Sequence, residues 1–143
     1  MNIGFDLDRV FINYPPFIPD AVIDWLYKSH NNCALAYRIP RSQAEIFLRS
    51  FSHKPVFRPP MPENIAFVRR LSQNTNHTLH LISSRYDFLE KTTWNMLARY
   101  NLKDAFRSVN LNTKNEQPHL IKNRIIEEKK INTFEEDDGE LVQ

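Results

Sequence analysis

Glycine and cysteine are scarce in this 143-residue chain, which contains two glycines and one cysteine. Neither of the glycine-rich loops that cradle nucleotide phosphates, GxxxxGK[ST] and GxGxxG, is present in the sequence. The single cysteine, Cys33, completes neither an internal disulfide nor a thiolate metal cage. This cysteine usage is typical of a reducing compartment, and we expect a cytoplasmic location.

Long apolar runs and blocks of like charge are also missing. No uncharged apolar stretch reaches the roughly 18 residues that a membrane-spanning helix needs, and the N-terminus lacks a secretory leader. We therefore expect a soluble protein with no membrane partner. The formal net charge is +2, which is close to balance and indicates no particular class of partner. The length suits one hydrophobic core.

The nine prolines divide the chain, because most of them gather in YPPFIP and KPVFRPPMP. Between these clusters the apolar spacing predicts helices over Asp20–His30 and Ser42–Phe51. The second helix begins with Ser42 and Glu45 in the capping-box pattern. We therefore predict a small helical insertion at residues 20–55, within a main domain formed by residues 1–19 and 56–143.

Outside the insertion, predicted strands and helices alternate along the chain. The strands are predicted at Ile3–Leu7, around Leu79–Ile82, at Phe106–Leu111 and at Ile131–Glu136, and the helices from Pro62, over Asp87–Tyr100 and over Pro118–Lys130. Alternation of this kind predicts an α/β fold with a mostly parallel sheet and right-handed crossovers, layered between helices as a three-layer sandwich.

Polar residues stand at the carboxyl ends of three predicted strands, where parallel sheets bind their ligands. They are Asp6 and Asp8 after the first strand, Ser83, Ser84 and Arg85 after the second, and Glu136, Asp137 and Asp138 after the last. We expect these side chains to converge on one edge of the sheet.

Asp6 and Asp8 are two residues apart, so strand alternation would point both carboxylates to the same side. Two like charges at that separation are costly without a cation between them. Oxygen ligands suit Mg²⁺ better than Zn²⁺, and a magnesium site of this kind usually handles phosphate. Lys122, in the helix before the last strand, is the candidate for additional positive charge.

Four segments, FDLDRVFIN, LHLISSR, HLIKNRIIEEKKI and NTFEEDDGEL, together resemble the four ordered motifs of the haloacid dehalogenase-like superfamily of phosphohydrolases. The resemblance spans Ile3 to Leu141, and the helical insertion is similar to the small cap domain of many members. It implies a Rossmann-like fold and a Mg²⁺-dependent phosphatase. The sequence around LISSR is most similar to the 5'-nucleotidase-like branch, which implies a small phosphorylated substrate such as a nucleoside monophosphate.

The resemblance also implies catalytic roles. Asp6 would be the nucleophile that forms an aspartyl-phosphate, and Asp8 would protonate the leaving oxygen and then activate water. In that role the pKa of Asp8 would be raised relative to that of Asp6. Ser83 would hydrogen-bond the phosphoryl group, and Lys122 would neutralise charge beside the nucleophile.

The remaining residues of the motifs would bind substrate and metal. Ser84 and Arg85 are the expected helpers of Ser83 at the substrate. Mg²⁺ would be held by Asp6, by the backbone carbonyl of Asp8 and by Asp137, with Asp138 or Glu136 nearby. Asp137 and Asp138 remain alternatives for the principal ligand of the fourth motif.

The chain departs from the family pattern at Arg9, where many members have glycine. We expect Arg9 either to restrict the turn after the first motif or to contact the substrate. The chain also ends at Gln143, shortly after the fourth motif, so we expect an uncovered last strand, which a homodimer would cover.

Two other functions are consistent with the sequence. One is a non-catalytic binding or structural protein that keeps the fold but has a truncated C-terminus. The other, for which the charge balance gives little support, is a single-stranded nucleic-acid binder. That function would use five cationic residues placed among aromatic side chains, namely Arg38, Arg41, Arg49, Lys54 and Arg58.

Overall fold

The structure is a computed structural model that describes residues 1–19, 21 and 39–136. Strands and helices alternate through most of this part of the chain. The strands are β1 (Asn2–Phe5), β2 (Thr78–Tyr86), β3 (Ser108–Asn112) and β4 (Thr133–Glu135), and the helices are α1 (Gln43–Ser52), α2 (Pro62–Ser72), α3 (Glu90–Arg99) and α4 (Pro118–Lys129). Short 3-10 turns at Asp87–Leu89 and Lys103–Ala105 precede α3 and β3.

In the described residues the strands form one sheet in the order β3-β2-β1-β4, and every neighbouring pair is parallel. The chain moves from β1 through β2 to β3 in one direction and then returns past β1 to β4. Right-handed crossovers therefore place α2 and α3 on one face of the sheet and α4 on the opposite face. The predicted α/β class with a parallel sheet is confirmed, and the layers are compatible with a Rossmann-like three-layer fold.

Two hydrophobic clusters correspond to the two faces. The larger cluster joins β1 and β2 to α2 and α3, and its aromatic centre is formed by Phe5, Phe11 and Phe106, whose rings lie 5.8 to 6.1 Å apart. The smaller cluster packs Ile82 of β2 against Ile121 and Ile125 of α4. The two clusters bury both faces of the sheet against helices.

Gly4 of β1 leaves room for the side chains of Phe134 and Ile131 on the α4 side of the sheet. A Cβ atom added at Gly4 would lie 2.6 Å from Cδ2 of Phe134 and 3.0 Å from Cδ1 of Ile131. The hydrogen atom in that position is therefore required by the packing of β4 and of the chain leading into it.

Three predicted helix starts are confirmed, whereas the helix predicted from Asp87 begins as a 3-10 turn and becomes α-helical at Glu90. Ser42 accepts a hydrogen bond from the backbone N–H of Glu45 (3.2 Å) and so caps α1. Pro62 and Pro118 each occupy the first turn of their helices, where the missing N–H costs nothing. The helix predicted over Asp20–His30 lies outside the described residues.

Several predicted bounds are wrong in detail. β1 ends at Phe5 rather than Leu7, because the chain turns immediately afterwards. β2 continues to Tyr86, so Ser83, Ser84 and Arg85 lie within the strand instead of after it. Strand β3 begins at Ser108, two residues after the predicted Phe106. Tertiary pairing with neighbouring strands, which local sequence does not encode, determines where each strand ends.

Candidate functional site

The strand order changes direction at β1, so the crevice between the carboxyl ends of β1 and β4 is the topological switch point of the sheet. Open α/β sheets bind their ligands at such a point. Asp6 follows β1 and Glu136 follows β4. The backbone N–H of Asp6 donates to the carbonyl oxygen of Glu135 across 3.0 Å, which holds the two chain segments side by side.

Lys122 bridges two carboxylates at this crevice. Its Nζ atom donates to Oδ2 of Asp6 across 2.8 Å and also to Oε1 of Glu136. The lysine side chain, which extends from α4, is only 6% exposed. We call these three residues the acidic end of the site, since one ammonium group faces two carboxylates.

The pKa values at the acidic end reflect this unequal sharing. Burial raises the pKa of Asp6 above its ordinary value, and the nearby charge of Asp8 adds to the rise, although Lys122 opposes it. Burial by itself would lower the pKa of Lys122, but the carboxylates of Asp6 and Glu136 outweigh burial and raise it. The two upward shifts have different causes, because burial dominates at Asp6 whereas two carboxylates outweigh burial at Lys122.

Asp8 has different partners. Arg85 binds it in a bidentate manner, with Nε 2.8 Å from Oδ2 and Nη2 2.6 Å from Oδ1. Arg58 adds a third hydrogen bond, from Nη1 to Oδ1 across 3.0 Å. Both arginine side chains are almost fully buried, whereas Asp8 remains 22% exposed. We call these three residues the arginine end of the site, since two guanidinium groups face one carboxylate.

The predicted order of the two aspartate pKa values is wrong for this structure. Burial would raise the pKa of Asp8, but the guanidinium groups of Arg85 and Arg58 overcome it and hold the pKa well below its usual range. Asp8 is therefore ionised here, and the pKa of Asp6 is the one that burial raises. The reason is that Asp8 has two cations to itself while Asp6 shares one.

The strand alternation that predicted a common direction for the two carboxylates does not apply to these residues. Because β1 ends at Phe5, strand alternation does not extend to Asp6 and Asp8. Each carboxylate has its own protein cation, Lys122 for Asp6 and Arg85 for Asp8. Charge repulsion between the two aspartates consequently gives no independent argument for a metal.

Arg9 adopts a backbone conformation that favours glycine. Its φ angle is 62°, in the left-handed region, and its N–H donates to the carbonyl oxygen of Ile12 across 2.7 Å to close the turn. The Arg9 guanidinium lies 4.5 Å from the centre of the Tyr14 ring, and that of Arg58 lies 5.2 Å from the same ring. Tyr14 therefore links the turn after β1 to the arginine end through cation–π contacts.

His53 and Tyr14 are site residues that the sequence did not indicate, and Arg58 was considered only for nucleic-acid binding. Arg58 and His53 come from the turn after α1, and Nε of Arg58 also donates to the carbonyl oxygen of Ser52 (3.2 Å). Nδ1 of His53 lies 2.7 Å from the carbonyl oxygen of Arg49. Burial, reinforced by Arg58 and Arg85, lowers the pKa of His53 well below its usual value. No local pattern marks these residues, because Arg58 reaches Asp8 only in the folded chain and His53 and Tyr14 lie near the arginines.

The hydrogen bonds of Ser83 and Ser84 each involve a backbone atom. The Ser83 hydroxyl is fully buried and accepts a hydrogen bond from the N–H of Arg85 across 3.4 Å. The carbonyl oxygen of Ser84 accepts one from the side chain of Asn112 across 3.2 Å. Both serines lie on β2, next to β1 in the sheet, and their roles at a substrate remain predictions.

The two predicted metal ligands Asp137 and Asp138 lie outside the described residues. Over residues 1–19, 21 and 39–136, no three His, Cys, Asp or Glu side chains are gathered as in a metal site. Asp6 and Glu136 nevertheless supply carboxylate oxygens and one unit of excess negative charge at the acidic end. This chemistry fits a hard divalent cation such as Mg²⁺.

The cationic group considered for nucleic-acid binding does not form one exposed surface. Arg49 and Arg58 are 4% and 2% exposed, and both are held in ion pairs. Arg38 lies outside the described residues. Among the helices that the structure describes, none has the length and apolar character to cross a membrane.

No protein-family model, curated protein or solved structure matches this chain. Inference about its function therefore depends on the residues and their geometry.

Proposed function

We propose that the protein is a Mg²⁺-dependent phosphohydrolase that acts on a small phosphate ester, such as a nucleoside monophosphate, through Asp6. The observation that carries the proposal is the hydrogen bond between Lys122 and Asp6 at the topological switch point. A carboxylate beside a buried ammonium, at the edge of the sheet where ligands bind, suits nucleophilic attack on an anionic phosphorus centre.

The reaction would proceed in two steps. An oxygen of Asp6 attacks phosphorus, the bond from phosphorus to the ester oxygen breaks, and the leaving oxygen takes up a proton. Water then attacks the aspartyl-phosphate, which releases inorganic phosphate and restores the Asp6 carboxylate. Lys122 would reduce the repulsion between the anionic nucleophile and the anionic substrate, and Ser83 would donate a hydrogen bond to a phosphoryl oxygen.

Asp6, Glu136 and the backbone carbonyl of Asp8 would hold Mg²⁺, together with Asp137 or Asp138. The bound ion would offset negative charge on the phosphoryl oxygens. The charge distribution of the described residues supports this assignment, because the acidic end has excess negative charge and the arginine end excess positive charge. The cation and the phosphoryl group whose charge it offsets would therefore both bind at the acidic end, beside Asp6.

Asp8 can act as a proton donor only after it leaves its arginine partners. Its carboxylate accepts three hydrogen bonds from Arg58 and Arg85, so it would have to leave those guanidinium groups before it could carry a proton to the leaving oxygen. The same contacts favour a second candidate function, in which the fold is kept as a non-catalytic binding or structural protein and Asp8 is a structural link.

An activity assay separates the two functions. Purified protein is incubated with 4-nitrophenyl phosphate in the presence and absence of Mg²⁺, and released phosphate is measured for the unaltered chain, Asp6→Asn and the exposed control Asp104→Asn. We expect Mg²⁺-dependent release that Asp6→Asn abolishes and Asp104→Asn retains. Activity that survives Asp6→Asn would contradict the nucleophile, and a folded protein that neither binds Mg²⁺ by calorimetry nor releases phosphate would support the non-catalytic function.

A further inference from the structure

Guanidinium groups concentrate on one side of the site. Oδ1 of Asp8 accepts hydrogen bonds from both Arg85 (2.6 Å) and Arg58 (3.0 Å). Arg9 and Arg58 both lie against the ring of Tyr14, at 4.5 and 5.2 Å. Among the residues that the structure describes here, two guanidinium groups therefore bind one carboxylate, and a third, that of Arg9, shares the Tyr14 ring with Arg58.

The guanidinium groups of the arginine end are largely buried. Arg58 and Arg85 are 2% and 7% exposed, so water screens their charges poorly, while Asp8 is the more accessible member of the group. Buried or partly buried charges act over longer distances than exposed ones. The arginine end should consequently attract an oxyanion brought in by a ligand, in addition to the phosphoryl group that the acidic end and its cation would hold.

We propose that the substrate carries a second anionic group, a carboxylate or a further phosphate, which binds Arg58 and Arg85 in place of Asp8. The planar guanidinium group binds carboxylate and phosphate oxygens in the same paired geometry, so one oxyanion can replace another there. The exchange would free the Asp8 carboxylate from its three hydrogen bonds, so that it could take up a proton from water and pass that proton to the leaving oxygen. This inference rests on the proposed function and names the class of substrate for it.

Esters with and without a second anionic group should react differently. An ester with a neutral leaving group leaves Asp8 bound to the arginines, so both its binding and its chemical step should be poor. An ester with an additional oxyanion gains charge-assisted hydrogen bonds and also releases Asp8. The second anion should therefore raise kcat as well as lower KM, whereas a charge that only improved binding would change KM alone.

A matched pair of esters tests this directly. The probes are 4-(carboxymethyl)phenyl phosphate and 4-(carbamoylmethyl)phenyl phosphate, which differ in charge but have nearly the same shape and leaving group. We expect kcat/KM to be about tenfold or more higher for the carboxylate, as expected for a charge-assisted hydrogen bond, with part of the gain in kcat. Arg58→Met should remove most of this preference, and the exposed control Arg107→Met should keep it.

Because Arg58 is buried in an ion pair, Arg58→Met can impair folding, so Arg58→Lys and Arg9→Met are measured in parallel and each variant is checked by circular dichroism. A binding assay that needs no turnover accompanies the kinetics. The benzylphosphonate counterparts of both esters are titrated into the unaltered protein and the folded variants by calorimetry.

The outcomes are distinguishable. Equal kcat/KM for the two esters, with turnover of both, overturns the inference and leaves the proposed function standing. No turnover of either ester, with tighter binding of the carboxylate phosphonate that depends on Arg58, supports the oxyanion site but contradicts the proposed function. Equal binding of the two phosphonates in the absence of turnover overturns the inference as well.

Discussion

Lys122 donates a hydrogen bond to Asp6 across 2.8 Å, although the two residues are 116 positions apart in the chain. The contact forms because α4 packs on one face of the sheet and leads directly into β4. Strand β4 lies beside β1, the strand that Asp6 follows. The same lysine contacts Glu136, so one buried ammonium connects the ends of β1 and β4. Stability and the proposed chemistry both depend on this connection.

Replacing Lys122 by Met should destabilise the fold by about 3 kcal/mol, because removal of one partner of a buried ion pair leaves carboxylates without compensation. Urea denaturation measures the change, with the exposed Lys91→Met as a matched control expected within about 0.5 kcal/mol of the unaltered protein. Adding Asp6→Asn to Lys122→Met should recover at least about 1 kcal/mol. Strictly additive losses would show that the two side chains do not interact in solution.

Arg9→Gly should give a more stable protein than Arg9→Ala, although alanine is usually the more stabilising of the two residues. A residue with a side chain costs roughly 1–2 kcal/mol in the left-handed region, and glycine avoids that cost. Arg9 compensates through its contact with the Tyr14 ring, which neither replacement keeps. We expect Arg9→Gly to be more stable than Arg9→Ala by about 1 kcal/mol in thermal or urea unfolding. A more stable alanine variant would contradict the left-handed turn.

His53 should make the protein acid-sensitive near neutral pH. Its folded-state pKa lies well below the unfolded value, because burial and the neighbouring arginines disfavour the charged ring. The unfolded state therefore binds the additional proton, and the free energy of unfolding should fall as pH drops below about 6.5, by up to about 1.4 kcal/mol per pH unit for one such group.

Urea denaturation between pH 7.5 and 5 measures this slope. His53→Asn, whose amide can still donate toward the carbonyl oxygen of Arg49, should flatten it. His80, whose pKa burial and Lys129 also lower, should account for part of the remaining slope, so His80→Asn serves as the comparison. An unchanged slope in His53→Asn would mean that His53 does not titrate abnormally.

Gly4→Ala should destabilise the protein by about 1–3 kcal/mol through overpacking. The new methyl group would meet the Phe134 ring at 2.6 Å and Ile131 at 3.0 Å. Combining Gly4→Ala with Phe134→Leu should recover part of the loss, because the smaller side chain leaves the ring position empty. Thermal unfolding checks both variants, and a fully additive double variant would count against this packing.

Much of the fold follows from local sequence. The apolar run before Asp6 predicts β1, and Ser42, Pro62 and Pro118 mark helix starts that the structure confirms. The alternation of strands and helices predicts the parallel sheet, since a parallel connection needs a crossover. Strand ends were less predictable, as the continuation of β2 to Tyr86 shows, because they depend on pairing with other strands.

The site was predictable only in part. Asp6, Asp8, Arg85 and Lys122 stand out by their positions at strand ends and in the helix before β4, and the structure brings them to one edge of the sheet. Arg58 and His53 carry no such mark, because they lie in the turn that follows α1. The pairing of Asp8 with two arginines and the resulting order of the aspartate pKa values could not be read from spacing.

The sequence alone therefore determined the fold class and which strand ends bear charge, since both follow from local propensity and apolar period. Only the tertiary structure decided which charge neutralises which. One ammonium is shared between Asp6 and Glu136 while two guanidinium groups serve Asp8, and this division depends on distances between segments far apart in the chain. Electrostatic energies vary with separation and burial, which no local pattern specifies.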